Sequence, residues 1–162
     1  METSLISPHA IIGEGVQIGE FCIIEDGVEI GDYTVVKNYV ELRRNTKIGK
    51  RCYVDSAFKS SGDVVVGDNC TLRYNAILAR KVTVGSNVFI APNVMTIYSS
   101  HKGEQIPGTV IEDDCFIGTA AVLNHGVKIV SGSVIGTMSF VTKDCLEKGI
   151  YTGIPAKLYK EL

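Results

Sequence analysis

The stretch Ile12-Gly13-Glu14-Gly15-Val16-Gln17-Ile18-Gly19-Glu20-Phe21-Cys22-Ile23-Ile24-Glu25-Asp26-Gly27-Val28-Glu29-Ile30 decides the fold. An isoleucine returns at every sixth position, and a valine or cysteine follows it four positions later. Outward from this stretch the first register runs Ile6, Ile12, Ile18, Ile24, Ile30, Val36, Leu42, Ile48, Val54, Ser60, Val66, Leu72, Leu78, Val84 and Ile90. It pauses, then resumes at Ile111, Ile117, Leu123, Ile129, Ile135 and Val141. With these as position i, position i+4 holds Ala, Val, Cys, Thr or Ser throughout, apart from Phe58. No charged residue stands in any of the 42 slots so defined, where chance would put roughly nine. Position i+1 is Gly in eight hexads, from Gly13 to Gly136, which predicts corners of unusual backbone geometry there.

A period of six is neither helical nor a simple alternation. It fits short strands joined by sharp corners, three to a coil, with i and i+4 inward and each coil paired to the next. A sandwich of alternating strands would not hold so strict a period. The reading is an all-β parallel β-helix in one domain over 1–162, with about seven coils in 6–95 and 111–146. An extruded loop covers 96–110, and a tail over 147–162 forms a short C-terminal cap, as a helix or a terminal strand. A distorted coil is expected over 55–62, where Phe58 and Ser60 take inward slots.

Composition narrows the function. The net charge is −2, so no basic field invites nucleic acid or an anionic membrane. Trp is lacking and aromatics are few, which disfavours a stacking platform for single strands. No apolar run reaches membrane length, and the N-terminus does not read as a secretory signal. All five cysteines (Cys22, Cys52, Cys70, Cys115 and Cys145) fall at i+4. They read as small buried fillers in a reducing cytoplasm, and neither a disulfide nor a metal site is expected. The two failures of the hexad rule are the loop, which holds His101, and the tail with Gly153-Ile154-Pro155-Ala156-Lys157. Such failures are where function is expected.

Three segments sharpen this reading. Phe89-Ile90-Ala91-Pro92-Asn93-Val94 is followed by Tyr98-Ser99-Ser100-His101. Phe140-Val141-Thr142-Lys143-Asp144 and the tail segment follow in order. Together they resemble the hexapeptide-repeat acetyltransferases, left-handed β-helices, and in particular the maltose, galactoside and nucleotide-sugar branch. The resemblance implies transfer of an acetyl group from acetyl-CoA to a hydroxyl or amine of a sugar or nucleotide sugar. It implies His101 as general base, because its spacing from Ala91-Pro92 matches the family's catalytic histidine. It also implies coenzyme A along Thr119, Ala120 and Thr137, with Thr142, Lys143 and Lys157 toward the nucleotide, and a cytoplasmic homotrimer.

The acceptor remains open at this level. By register the family's acceptor-binding asparagine falls at Thr71, and the family's N-terminal helical segment has no counterpart before Ile6. Arg73, Tyr74, Asn75, Asn93 and His125 are the candidates to meet it, with outward-facing ladder residues as the plain alternative. His9 is assigned nothing. Two rival classes stand beside this reading. A γ-class carbonic anhydrase needs three histidines around zinc, and His9 stands too many coils from His101 and His125. A noncatalytic β-helix subunit would bind no coenzyme A.

Overall fold

The computed structural model describes residues 3–98, 102 and 106–162. They form a left-handed parallel β-helix with three flat faces, and among them there is no helix. Face 1 stacks the strands from Leu5–Ile6 to Phe140–Val141. Face 2 stacks those from Ile11–Ile12 to Lys128–Ile129. Face 3 stacks those from Gln17–Ile18 to Val134–Ile135 and ends on Gly149–Gly153 and Ala156–Glu161. Edges are named here by the faces they join, in chain order: 1/2, 2/3 and 3/1. Each strand pairs in parallel with the one a coil later, as Leu5 with Ile23 and Ile23 with Glu41.

The inward registers form one continuous core. Ile24, Leu42, Leu72, Ile90, Ile117 and Ile135 are fully buried at i, and Val28, Val40, Val64 and Val94 at i+4. At the first coil Ile6 and Ile12 are still 45% and 39% exposed, because the end coil of a solenoid has a neighbour on one side only. The segment expected to be distorted is regular. Lys59–Ser60 is an ordinary strand of face 1, Phe58 is buried, and Ser60 shares a 2.7 Å hydrogen bond with the Thr46 hydroxyl. A polar residue is tolerated in the core because its partner is there as well.

The corners also differ from expectation. The left-handed backbone falls at i+3, as at Phe21 (φ 57°), Tyr39 (φ 60°) and Asn93 (φ 60°). The glycines at i+1 answer a different need. A Cβ on Gly49 would stand 2.4 Å from the Gly67 carbonyl oxygen of the next coil, a distance no side chain can hold. Close stacking of corners, not φ, selects glycine there.

There are eight coils rather than seven. Thr96 keeps the inward slot and is buried in the strand Met95–Thr96, so the loop leaves from inside the sixth coil, not between the fifth and sixth. The eighth coil comprises Phe140–Val141, Cys145 bridged to Ile129, and Gly149–Gly153. It escapes a six-residue count because it is shorter, with ladder partners 16 residues apart instead of 18. The tail is a hairpin. Ala156–Glu161 returns antiparallel on Gly149–Gly153, and the Tyr151 hydroxyl donates to the Glu147 carbonyl at 2.8 Å.

Candidate active site

The loop leaves edge 1/2 in the sixth coil. Ser86 and Asp113 are ladder neighbours 27 residues apart, nine more than the usual 18, so nine residues are added to that corner. Both feet of the loop are anchored. On the outgoing side the Thr96 hydroxyl accepts from the Ala79 amide at 2.7 Å, and Tyr98 packs against the core. The Lys81 ammonium lies 5.9 Å from the centre of the Tyr98 ring, within cation–π range. On the returning side Thr109 refills the i+4 slot, fully buried, and donates to the Asn124 carbonyl at 2.9 Å. Gly108 lies so close to the fifth coil that a Cβ on it would come 1.7 Å from the Lys81 carbonyl oxygen. Pro107 rests over Gly126 of the seventh coil. The base of the loop is therefore wedged between the corners of the coils on either side. His101, the expected base, lies outside the described residues.

The other expected site residues divide between two edges. His125 in the seventh coil and Thr142 and Lys143 in the eighth share edge 1/2 with the loop. His125 is half-buried between Asn124 and Gly126. Asp144, next to Lys143, accepts from the Lys128 amide at 2.8 Å. Arg73, Tyr74, Asn75, Asn93, Thr119, Ala120 and Thr137 all stand on edge 3/1, at the opposite margin of face 1. The Asn75 amide donates to the Asn93 side-chain oxygen at 2.7 Å. Arg73 Nε is buried 3.2 Å from the Asp55 carboxylate, off the line of a hydrogen bond. Tyr74 is exposed. Lys157 lies across the hairpin from Thr152.

At the edge 3/1 margin of face 1, in the seventh and eighth coils, is a cleft of about 400 Å³ lined by Ala120, Val122, Met138, Ser139, Phe140 and Ile154. Its lining is apolar apart from the Ser139 hydroxyl, which accepts from the Gly153 amide at 3.1 Å. Thr119 and Thr137 flank it along the chain. Of the lining, Ala120 is an expected site residue, and Phe140 and Ile154 belong to the segments that carry the resemblance. The signal for Val122 and Phe140 lies in the outward position i+5, where Ile77, Met95, Val122 and Phe140 stack in one column of face 1. That column recurs once per coil and is invisible to a count in sixes.

Comparisons with known proteins agree with this architecture. Residues 1–104 match the family described as GMPPB C-terminal domain, and residues 108–143 match the hexapeptide repeat of succinyl-transferase. The galactoside O-acetyltransferase of Escherichia coli (strain K12) is 30% identical over 128 residues, which is 71% of this chain and 63% of that protein. The serine acetyltransferase of Bacillus licheniformis is 29% identical over 118 residues, 73% of this chain and 47% of that protein. The chain thus spans less than two thirds of the length of these curated relatives. Among solved structures, the UDP-N-acetylglucosamine acyltransferase from Campylobacter jejuni has a TM-score of 0.74 at 16% identity, covering 99% of this chain and 74% of that one. The polysialic acid O-acetyltransferase OatWY has a TM-score of 0.67 at 19% identity, with 98% and 84% covered. At these identities the structural likeness speaks for the fold.

Proposed function

The chain belongs to the family described as GMPPB C-terminal domain and carries a hexapeptide-repeat match over residues 108–143, and we propose that it is an acetyltransferase that carries the acetyl group of acetyl-CoA to a hydroxyl or amine of a sugar or nucleotide sugar. The supporting observation is the position of the motif-bearing loop, rooted in the sixth coil on the margin of face 1 across from an apolar cleft in the seventh and eighth coils. A thioester arm held in that cleft, with Thr119 and Thr137 beside it, would lie within the span of face 1 that leads to the loop. Confinement of this kind turns an encounter into a unimolecular step.

In this reading His101 takes the proton from the acceptor as it attacks the thioester carbonyl. An imidazole suits this task because its ordinary pKa, near 6.5, leaves it neutral at cellular pH. Thr142, Lys143 and Lys157 meet the nucleotide end of the donor, and no metal takes part. His125, on the same edge, and Arg73, Tyr74, Asn75 and Asn93, on the opposite one, meet the acceptor. Those two edges bound face 1 on opposite sides, so within one chain the acceptor candidates of edge 3/1 stand across the face from the loop. A homotrimer that sets edge 3/1 of one copy beside the loop edge of the next would complete the site. Among the described residues no helix is long and apolar enough to cross a membrane, and we place the protein in the cytoplasm.

The test is acetyl-CoA consumption across UDP-, dTDP- and GDP-amino sugars and simple glycosides. His101→Ala should lose about 10² to 10⁴ in turnover, the usual worth of a general base. It should keep its stability within about 0.5 kcal/mol, keep the thermal shift given by coenzyme A, and lose the acidic limb of its pH profile. Retention of more than about a tenth of the activity would move the proton to another group, with His125 next. The second reading, a noncatalytic subunit, draws on the match of residues 1–104 to a family described as a C-terminal domain. It requires that coenzyme A give no thermal protection at all.

A further inference from the structure

The two feet of the loop stand at unequal distances from its expected base. On the returning side the anchors are Ile106, which is 9% exposed, Pro107 over Gly126, Gly108 against Lys81, and the buried Thr109. On the outgoing side Ile97 still belongs to the ladder and donates its amide to the Leu123 carbonyl at 2.9 Å. Tyr98 follows it, half-buried with its side chain packed against the core. His101 comes three residues after Tyr98 and five before Ile106. A chain reaches at most about 3.6 Å per residue, so Tyr98 confines the His101 backbone to a radius of about 11 Å, and Ile106 only to about 18 Å. Of the two feet, the outgoing one therefore limits the imidazole more.

Lys81, in the fifth coil on the same edge, grips Tyr98. Its ammonium lies 5.9 Å from the centre of the ring. Its carbonyl oxygen and Cβ lie against Gly108, where an added Cβ would come within 1.7 and 3.0 Å of them. One residue thus meets both feet of the loop. Lys81 is in turn held by the fourth coil. There the Asp63 carboxylate accepts from the Asn45 side-chain amide at 3.0 Å and from Arg80 at 2.7 Å. These two bonds, and after them the charges of Arg80 and Lys81, keep its pKa below the ordinary 3.8. Lys81 therefore stands in the field of a fixed anion, and the dependence runs from Asp63 through Lys81 to Tyr98.

A general base is exacting about distance. It must come within about 2.6 to 3.2 Å of the group whose proton it takes, and a misplacement of about 1 Å can cost roughly a hundredfold. A base carried on an insertion of nine residues keeps such a distance only if the root of the insertion is fixed. We infer that Tyr98, gripped by Lys81, is a positioning residue for His101: it fixes the point from which the histidine-bearing segment departs, and acts through His101 rather than on donor or acceptor. The ring carries this role and not the hydroxyl, since it is the ring that the ammonium faces. The inference rests on the proposed acetyl transfer with His101 as base.

The experiment is steady-state kinetics on Tyr98→Ala, Tyr98→Phe, Lys81→Gln and Lys81→Arg, with the thermal shift given by coenzyme A as the check of folding. Tyr98→Ala should lose roughly ten- to a hundredfold in kcat, with KM for acetyl-CoA within about twofold of wild type. Tyr98→Phe keeps the ring and should keep most of the turnover. Lys81→Gln should lose less, roughly two- to fivefold, the worth of an exposed cation–π contact, and Lys81→Arg should recover it. Lys81 is exposed, so this pair stands as the test even where Tyr98→Ala does not fold. The decisive comparison is Tyr98→Ala in a His101→Ala background. There it should cost nothing further, because a residue that acts through another has no effect once that other is gone. A second readout needs no turnover: the His101 Cε1 proton resonance, identified by its loss in His101→Ala, should move in Tyr98→Ala and hold in Tyr98→Phe. Full kcat in Tyr98→Ala or Lys81→Gln, an equal loss in Tyr98→Phe, a further loss in the His101→Ala background, or an unmoved resonance would each overturn the inference. Absence of acetyl transfer by the wild type would instead defeat the functional reading, and the resonance would still decide this one.

Discussion

The residues at i+4 do more than fill space. Cys22, Cys52, Cys70 and Cys115 point their thiols at the carbonyl oxygens of Lys37, Gly67, Gly85 and Val130, at 3.1 to 3.3 Å. Thr34 and Thr109 make the same contact with hydroxyls, to Gly49 at 2.8 Å and Asn124 at 2.9 Å. In each case the acceptor is the corner carbonyl 15 residues ahead, a group that turns out of the ladder and would otherwise be buried without a donor. This explains why small donors recur in a slot that Ala and Val also fill. Cys145 is buried as well. Desolvation first, then the nearby Asp144 carboxylate, push its thiol from 9.0 up to about 12. Between those values the thiol is protonated in the folded chain and ionised in the unfolded one. Its contribution to stability is complete below pH 9.0 and is lost as pH rises toward about 12. Denaturant midpoints measured from pH 8 upward should therefore fall less steeply in Cys145→Ala than in wild type, by up to one proton, or about 1.4 kcal/mol per pH unit. Identical slopes would mean that the thiol does not titrate differently on folding.

At the level of elements, the loop is an insertion into a repeat that is complete without it. Excising 99–107 removes the nine added residues and leaves Tyr98 joined to Gly108. Gly108 then falls at i+3, where the other corners adopt a left-handed backbone, and Thr109 keeps its place at i+4. The variant should fold, with a loss of about 1.5 to 3 kcal/mol from the buried Ile106 it forfeits, and should lose acetyl transfer. Circular dichroism and a urea melt check the first half, and turnover the second. An unfolded product would make the loop part of the scaffold and not a graft upon it.

Across the whole molecule, the three edges differ in chemistry. Edge 2/3 carries Asp32, Lys50, Arg51, Asp68 and Asp113, and edge 1/2 carries the cations already described together with the loop. Edge 3/1 carries Phe21 stacked on Tyr39 with centroids 5.2 Å apart, then Ala57, and at its far end Met138, which is 68% exposed. The C-terminal coils of the faces beside it are also apolar. Face 1 shows Ile77, Met95, Val122 and Phe140, and face 3 shows Phe89 stacked on Phe116 at 5.2 Å. A surface of this kind is best covered by copies of itself, and cyclic closure covers it without leaving an open end. Light scattering should give a homotrimer of roughly 52 kDa, three times the 17.5 kDa chain. Phe21→Glu with Tyr39→Glu, a pair far from the cleft, should shift it toward monomer and lower turnover together. A wild-type monomer at micromolar concentration would count against a site completed between copies.

How much of this was legible beforehand follows from the range of each interaction. The six-residue period fixed the coil, its inward slots and the burial of every cysteine, because backbone pairing between stacked coils repeats one local environment and each hexad answers to it alone. The interruption after Thr96 marked the loop for the same reason. What the hexads could not show is anything that depends on stacking between coils. The role of glycine at i+1 depends on a carbonyl in the next coil, and the regularity around Ser60 depends on Thr46 across the core. The eighth coil depends on a bridge from Cys145 to Ile129 that no six-residue count contains. The division of the expected site residues between edges 1/2 and 3/1 is likewise tertiary. Adjacent hexads lie on different faces, and neighbours in space stand 18 residues apart, or 27 where the loop intervenes. Sequence therefore determined what each residue faces, inward or outward, and only the winding of the chain decided which outward residues meet.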